Sequence, residues 1–266
     1  MVNKIPFAKI VITLVLLFLY LPIFILVLYS FNESRYVTVW SEFSLKWYRE
    51  IFHDRELLEA TAKSIKIAAT SASISVVFGT MAALSLVRFG LFFGRTLFST
   101  ILTAPFIIPE VITGFSLLLL FSFIEQVFGI FAERGTTTVI LAHTTLGVAY
   151  VTVMVQARLA NFDMSLEEAA LDLGATPLKV FFTITLPIIG KSLIAGWLLA
   201  FTLSLDDLVI ASFTSGPGST TLPMLIYSRI KLGISPEINA LATIMLSIVF
   251  VSIALVYFAN IRTKKD

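Results

Sequence analysis

Three carboxylates stand in stretches that are otherwise almost wholly apolar: Glu110, in Pro105-Phe106-Ile107-Ile108-Pro109-Glu110, and the adjacent Asp206 and Asp207. An ionisable group in hydrocarbon costs a few kcal/mol at least, so each is a candidate for function. No Lys or Arg sits at a comparable depth in these runs. Carboxylates without an internal counter-charge suit one chemistry above others, the replacement of a cation's water as it crosses a membrane. Glu110 reads in two ways, as such a ligand or as a carboxylate bonded to backbone freed by Pro109. The aspartates must divide their duties, because neighbouring helical residues point about 100° apart. Ala200, Ser204, Asp207 and Ala211 form a small-residue stripe suited to close helix packing, whereas Asp206 shares its side with Leu199, Thr202 and Phe213. One aspartate is expected in a path and the other on a helix contact or a backbone group; the sequence does not distinguish them.

Other chemistries find little support. The chain has no Cys, which removes disulfides and thiolate chemistry. His143 has no second histidine nearby, neither a metal motif nor a serine–histidine arrangement is present, and His143 reads as a hydrogen-bonded core residue. We assign no catalytic residue and no metal ligand. Gly190-Lys191-Ser192 resembles the tail of a phosphate loop, but Thr185 stands where the first glycine belongs, and an apolar run follows. A net charge of +2 offers no global attraction for nucleic acid.

Hydrophobic residues make up 58% of the 266 and charged residues 14%, with a mean hydropathy of +0.95, so too little polar surface exists to cover a soluble globule. A spanning helix needs roughly 20 mostly apolar residues. Six segments qualify: about Ile10 to Phe31, Ser64 to Val87, Leu97 to Phe123, Thr136 to Leu159, Ile188 to Phe213 and Asn239 to Ile261. Lys4, Lys9, Arg88, Arg95, Arg262, Lys264 and Lys265 flank alternate ends, which places both termini in the cytoplasm by the excess of basic residues on that side. The loop from Asn32 to Lys63, with five basic residues of its own, is a counterweight. Within it Leu45, Trp47, Tyr48, Ile51 and Phe52 predict a short helix at the outer interface, read as a headgroup anchor before a docking surface. Tyr20, Tyr29, Tyr150 and Trp197 read as interface anchors before cation–π partners.

Between the fourth and fifth spans lies a polar island, Asn161 to Pro187. Ser165-Leu166-Glu167-Glu168 predicts a capping box that starts a helix, and Gly174 a left-handed residue that stops it. Thr176-Pro177 then restarts the chain as N-cap and first helical residue, giving two short helices joined by an elbow.

Glu168-Ala169-Ala170, three residues, Gly174, nine residues, then Ile184-x-Leu186-Pro187 resembles the EAA motif of permease subunits in binding-protein-dependent ABC importers. The resemblance implies that the elbow inserts into a cleft of a partner ATPase, with Glu168 orienting the helix, Gly174 turning the chain and Ala169 and Ala170 permitting close approach. A wider resemblance, to the permeases of bacterial polyamine (putrescine/spermidine) importers, rests on Ser30-Phe31-Asn32, Lys46-Trp47-Tyr48, Pro109-Glu110-Val111-Ile112, Phe201 to Val209 and Pro236 to Thr243. Leu205 to Pro223 looks most like the putrescine-importing subunits, with the spermidine/putrescine type close behind. Glu110 departs from the Asp expected in much of that family.

These resemblances imply an all-α membrane protein of six transmembrane helices with type I ABC importer permease (MetI-like) architecture. One transmembrane domain would cover 1–266, with core spans at about 64–261 and a cytoplasmic coupling loop at 163–187. The implied setting is a bacterial inner membrane, with a second permease, two ATPase copies and a periplasmic polyamine-binding protein as partners. No cofactor is implied in this chain, ATP and Mg²⁺ belonging to the ATPase. Two rivals are a proton-driven carrier, which should display repeated halves that we do not find, and an intramembrane enzyme, for which the residues are missing.

Overall fold

The computed structural model describes residues 4–34, 39–129, 134–233, 236–247 and 250. The chain divides into two compact units, Met1–Leu58 with Ile226–Asp266, and Glu59–Leu225.

The second unit holds most of α3 (Arg55–Arg88), then α4 (Arg95–Ile107), α5 (Glu110–Phe128), α6 (Thr136–Ala160), α7 (Ser165–Asp172), α8 (Pro177–Val180), a wide π turn over Phe181–Thr185, α9 (Leu186–Asp206), α10 (Val209–Thr214) and the start of α11 (Leu222–Leu232). Its centre is the meeting of α3, α6 and α9, where Ala72, Ala83, Val151, Val155, Leu159, Ile189 and Ala200 form one buried cluster. Small residues make this closeness possible. A Cβ on Gly79 would fall 2.7 Å from Val151 Cβ, and one on Gly147 would collide with Ser75 Oγ. Hydroxyls bridge the same seam, Ser75 donating to the Thr144 carbonyl and Thr152 to the Gly79 carbonyl, each over 3.3 Å. Helices in lipid gain from such close approach because no hydrophobic drive separates them from their solvent.

Among the described residues, five helical stretches are long and apolar enough to cross a bilayer: Lys9–Tyr29, Arg55–Arg88, Glu110–Phe128, Thr136–Ala160 and Pro177–Asp206. The sixth expected span, Asn239 to Ile261, lies largely outside the described residues. Two other expectations are corrected. Leu97 to Phe123 is two helices, because Pro109 has no N–H to give and drives Ile108 into an extended conformation (φ −80°, ψ 128°). Ile188 to Phe213 is also two, α9 ending where Asp207 turns extended (φ −67°, ψ 123°).

In the first unit α1 (Lys4–Tyr29) leads into a loop organised by Asn32, which is 1% exposed. Its side chain donates to the Val39 carbonyl (2.8 Å) and accepts from Ser41 N–H (3.0 Å), while its own carbonyl accepts Trp47 Nε1–H at 2.7 Å. The predicted short helix is α2 (Lys46–His53), but its apolar face divides. Trp47 and Ile51 are buried inside the protein, and only Leu45 and Phe52 are exposed as a headgroup anchor would be. Beside it Arg229 of α11 bonds Asp54 (2.5 Å) and Glu56 (3.0 Å), holding the Asp54 carboxyl below the usual carboxylate range.

Candidate functional site

The two aspartates occupy different environments. Asp206, the last residue of α9, is exposed. Asp207 has a side chain 6% exposed and three donors: Ile210 N–H on Oδ1 (3.3 Å), and Ala211 N–H (2.7 Å) and His143 Nε2–H (3.1 Å) on Oδ2. The carboxylate thus accepts two N–H groups from the first turn of α10, at the point where the chain leaves α9. His143 Nδ1 lies 2.6 Å from Ser204 Oγ, and Ser204 Oγ lies 3.3 Å from Ser71 Oγ, so one polar chain ties α3, α6 and α9 to α10. Every buried polar group in it has a partner, as a low-dielectric interior demands. His143 is the hydrogen-bonded core residue that its solitary position predicted.

Glu110 is the first residue of α5 and is exposed, at the break that Pro109 creates. The Pro109 carbonyl accepts from Ile112 and Thr113 N–H at 3.0 and 3.1 Å. A carboxylate in the first turn also favours the helix N-terminus electrostatically. The two broken spans meet one turn beyond their carboxylates: a Cβ on Gly114 would fall 2.8 Å from Phe213 Cδ2 and 3.3 Å from Ile210 Cα. Of the aromatic residues, Tyr150 meets Phe106 edge-on at 4.5 Å and Trp197 stacks on Phe201 at 5.0 Å.

The polar island folds as an elbow. Gly174 is left-handed (φ +85°), and the N–H groups of Gly174 and Ala175 return to the carbonyls of Leu171 (2.9 Å) and Ala170 (3.1 Å), closing the end of α7. Thr176 is extended and Pro177 opens α8 as predicted. The expected capping box is absent. Ser165 is itself helical and its N–H bonds Asp163 Oδ1 at 3.0 Å, so Asp163 takes the capping part, and its carboxyl is held low by Ser165. The second helix is not short either, since α8, the π turn and α9 run on without interruption. Leu186 N–H reaches the Phe181 carbonyl five residues back, and this wider turn gives room to Pro187, whose ring would crowd a tighter one.

Glu168 and Ala169 are exposed on α7, Ala170, Ile184 and Leu186 are half-buried, and Pro187 is exposed. The neighbour of Glu168 does what sequence reasoning missed. Glu167 is buried and takes both amino groups of the Arg88 guanidinium, Nη2 to Oε1 at 2.7 Å and Nη1 to Oε2, while Thr185 Oγ1–H donates to Oε1. Among the described residues no cluster of His, Cys, Asp or Glu suits a metal.

A helical membrane core, carboxylates at helix breaks and an elbow that exposes Glu168 and Ala169 are the features of a permease subunit of an ABC importer. Residues 75–262 match the family of binding-protein-dependent transport system inner membrane components, and the chain belongs to that family. It is 51% identical to the putrescine transport system permease protein PotI of Escherichia coli K12 over 98% of this chain and 93% of that one. It is 40% identical to the spermidine/putrescine transport system permease protein PotC of Haemophilus influenzae, over 94% and 93%. Among solved structures, a bacterial ABC transporter that imports the acidic polysaccharide alginate superposes with a TM-score of 0.71 at 17% identity, covering 98% of both chains. An amino acid ABC transporter solved with histidines superposes at 0.55 and 16% identity, covering 79% of this chain and 96% of that one. The fold is that of ABC importer permeases, and the chain is an inner-membrane component.

Proposed function

We propose that this chain is the permease subunit of an ATP-driven polyamine importer with putrescine as its substrate. The observation that carries the choice is the 51% identity to a putrescine permease along nearly the whole chain, against 39–40% to spermidine/putrescine permeases. Both termini face the cytoplasm, the elbow at 163–187 docks on an ATPase that binds ATP and Mg²⁺, and a second, different permease completes the path. A periplasmic binding protein delivers the amine. No cofactor resides in this chain.

The physical demand is desolvation of a small dication. Putrescine leaves water only where fixed negative charge and hydroxyls replace its hydration. Asp206 and Glu110, exposed at the two helix breaks, are the carboxylates assigned to that task, with the Thr202 hydroxyl on the same side of α9 as Asp206. Asp207 serves the path indirectly by holding the break open. Closure of the ATPases moves the elbow, and the spans rock between outward and inward access around these carboxylates.

The test is uptake by vesicles containing this chain, its partner permease, the ATPases and a binding protein loaded with radiolabelled putrescine or spermidine. ATP-dependent uptake of putrescine in preference to spermidine supports the reading. The reverse preference replaces putrescine with spermidine, and uptake driven by a proton gradient without ATP refutes it.

A further inference from the structure

The adjacent acids Glu167 and Glu168 point about 100° apart around α7 and meet different surroundings. Glu168 is exposed, on the side assigned to the ATPase, whereas Glu167 is buried. Its carboxylate gathers three elements at one point. Arg88 is the last residue of α3, Glu167 belongs to the first turn of α7, and Thr185 closes the π turn that leads into α9. The Arg88 guanidinium also lies 5.3 Å from the ring centre of Phe162, in the segment joining α6 to α7. An open concavity of about 310 Å³, bordered by Leu84, Phe89, Leu171 and Phe181, lies beside the same ion pair. A two-pronged guanidinium–carboxylate pair fixes distance and angle together. Alongside the unbroken helix that carries α8 into α9, this polar cluster ties α7 to both α3 and the start of α9.

We propose that Arg88, Glu167 and Thr185 form the joint through which movement of the elbow reaches α3 and α9, acting as positioning residues for the coupling step. This rests on the reading of the elbow as the ATPase contact. Glu168 presents the elbow to the motor, and Glu167 hands the displacement to two spans at once. The π turn suits this role, because its wider winding allows α9 to re-register near Thr185 without breaking the helix.

The experiment uses the complete importer in vesicles, with Glu167→Gln, Arg88→Gln, the double variant, Thr185→Val and Glu168→Ala. Three quantities are read: the yield of assembled complex, ATP hydrolysis stimulated by loaded binding protein, and putrescine moved per ATP. The joint predicts wild-type assembly for the Glu167, Arg88 and Thr185 variants. It predicts a fall of about tenfold in putrescine per ATP for either single charge variant, no further fall in the double, and about threefold for Thr185→Val. Unchanged stoichiometry in Glu167→Gln and Arg88→Gln overturns it, as do losses that simply multiply in the double. Loss of assembly in the charge variants with a silent Thr185→Val overturns it too, reducing the pair to a structural tie. Glu168→Ala separates the two layers. If it transports normally, the elbow reading and the joint both fall; if it fails while Glu167→Gln couples normally, only the joint falls.

Discussion

His143 and Asp207 meet where α9 breaks, the imidazole Nε2–H donating to Asp207 Oδ2 across 3.1 Å while two N–H groups of α10 bind the same carboxylate. The contact places Asp207 in the packing between α6, α9 and α10. Asp206, one residue earlier, is an exposed residue.

The two aspartates are accordingly expected to fail differently. Asp207→Asn replaces an acceptor by an NH₂ group facing N–H donors, and should destabilise the protein in detergent by about 1–3 kcal/mol, as should His143→Ala. Asp206→Asn should leave thermal stability unchanged and lower putrescine uptake about tenfold, the loss of roughly 1.4 kcal/mol of cation binding. Thermal unfolding and uptake measured on the same preparations check both halves.

Gly114 is where the two broken spans touch, and a methyl group there meets Phe213 at 2.8 Å and the Ile210 backbone at 3.3 Å. Gly114→Ala should cost about 1–3 kcal/mol through overpacking. Phe213→Leu in the same chain should restore part of this, whereas Phe213→Leu alone should not stabilise. Unfolding midpoints of the three variants are the measurement.

Gly174 has open space around its missing side chain, so only its left-handed backbone matters. Gly174→Ala should cost about 1–2 kcal/mol locally, and Gly174→Asn less, because Asn tolerates that conformation. The order expected for ATPase stimulation is Gly, then Asn, then Ala, read in the reconstituted complex.

The hydrogen bonds of Arg88 hold the Glu167 carboxyl below the ordinary glutamate range; burial opposes them and Thr185 adds to them. A lowered carboxyl contributes stability that is complete above its unfolded value, about 4.3, and is lost as pH falls through the lower folded value. The joint should thus stay closed from neutral pH to about pH 5 and open only in stronger acid. Because the chain has no native Cys, paired spin labels on Leu91→Cys and Asp172→Cys would report this directly. A constant distance at neutral pH that broadens only in acid is expected, and Glu167→Gln should broaden it at every pH. Broadening between about pH 6 and 7 would mean that another group controls the joint.

The sequence revealed most where a pattern is local. Apolar runs located the spans, and Gly174 and Thr176-Pro177 marked the elbow, since turn and cap chemistry acts over a few residues. The two span breaks were hidden because the apolar runs continue through them. Pro109 is a visible signal, but Pro105, four residues earlier, is accommodated within α4, so a proline in an apolar run does not by itself mark a break. The Ser165-to-Glu168 spacing suggested a cap that Asp163 supplies instead, two residues earlier than the pattern implies. Nothing local could have joined Arg88 to Glu167, 79 residues apart, or His143 to Asp207, 64 apart. Such pairs exist only once α3, α6 and α9 have packed.

The most direct test of the account asks whether the exposed face of α7 carries work from the ATPase. Vesicles holding the complete importer with Glu168→Arg and Ala169→Leu in this chain would be compared with wild type for ATP-driven putrescine accumulation at equal membrane insertion. The account predicts accumulation reduced by at least about tenfold, the range in which losing one charged hot spot lowers an interaction. Accumulation at the wild-type rate would contradict it.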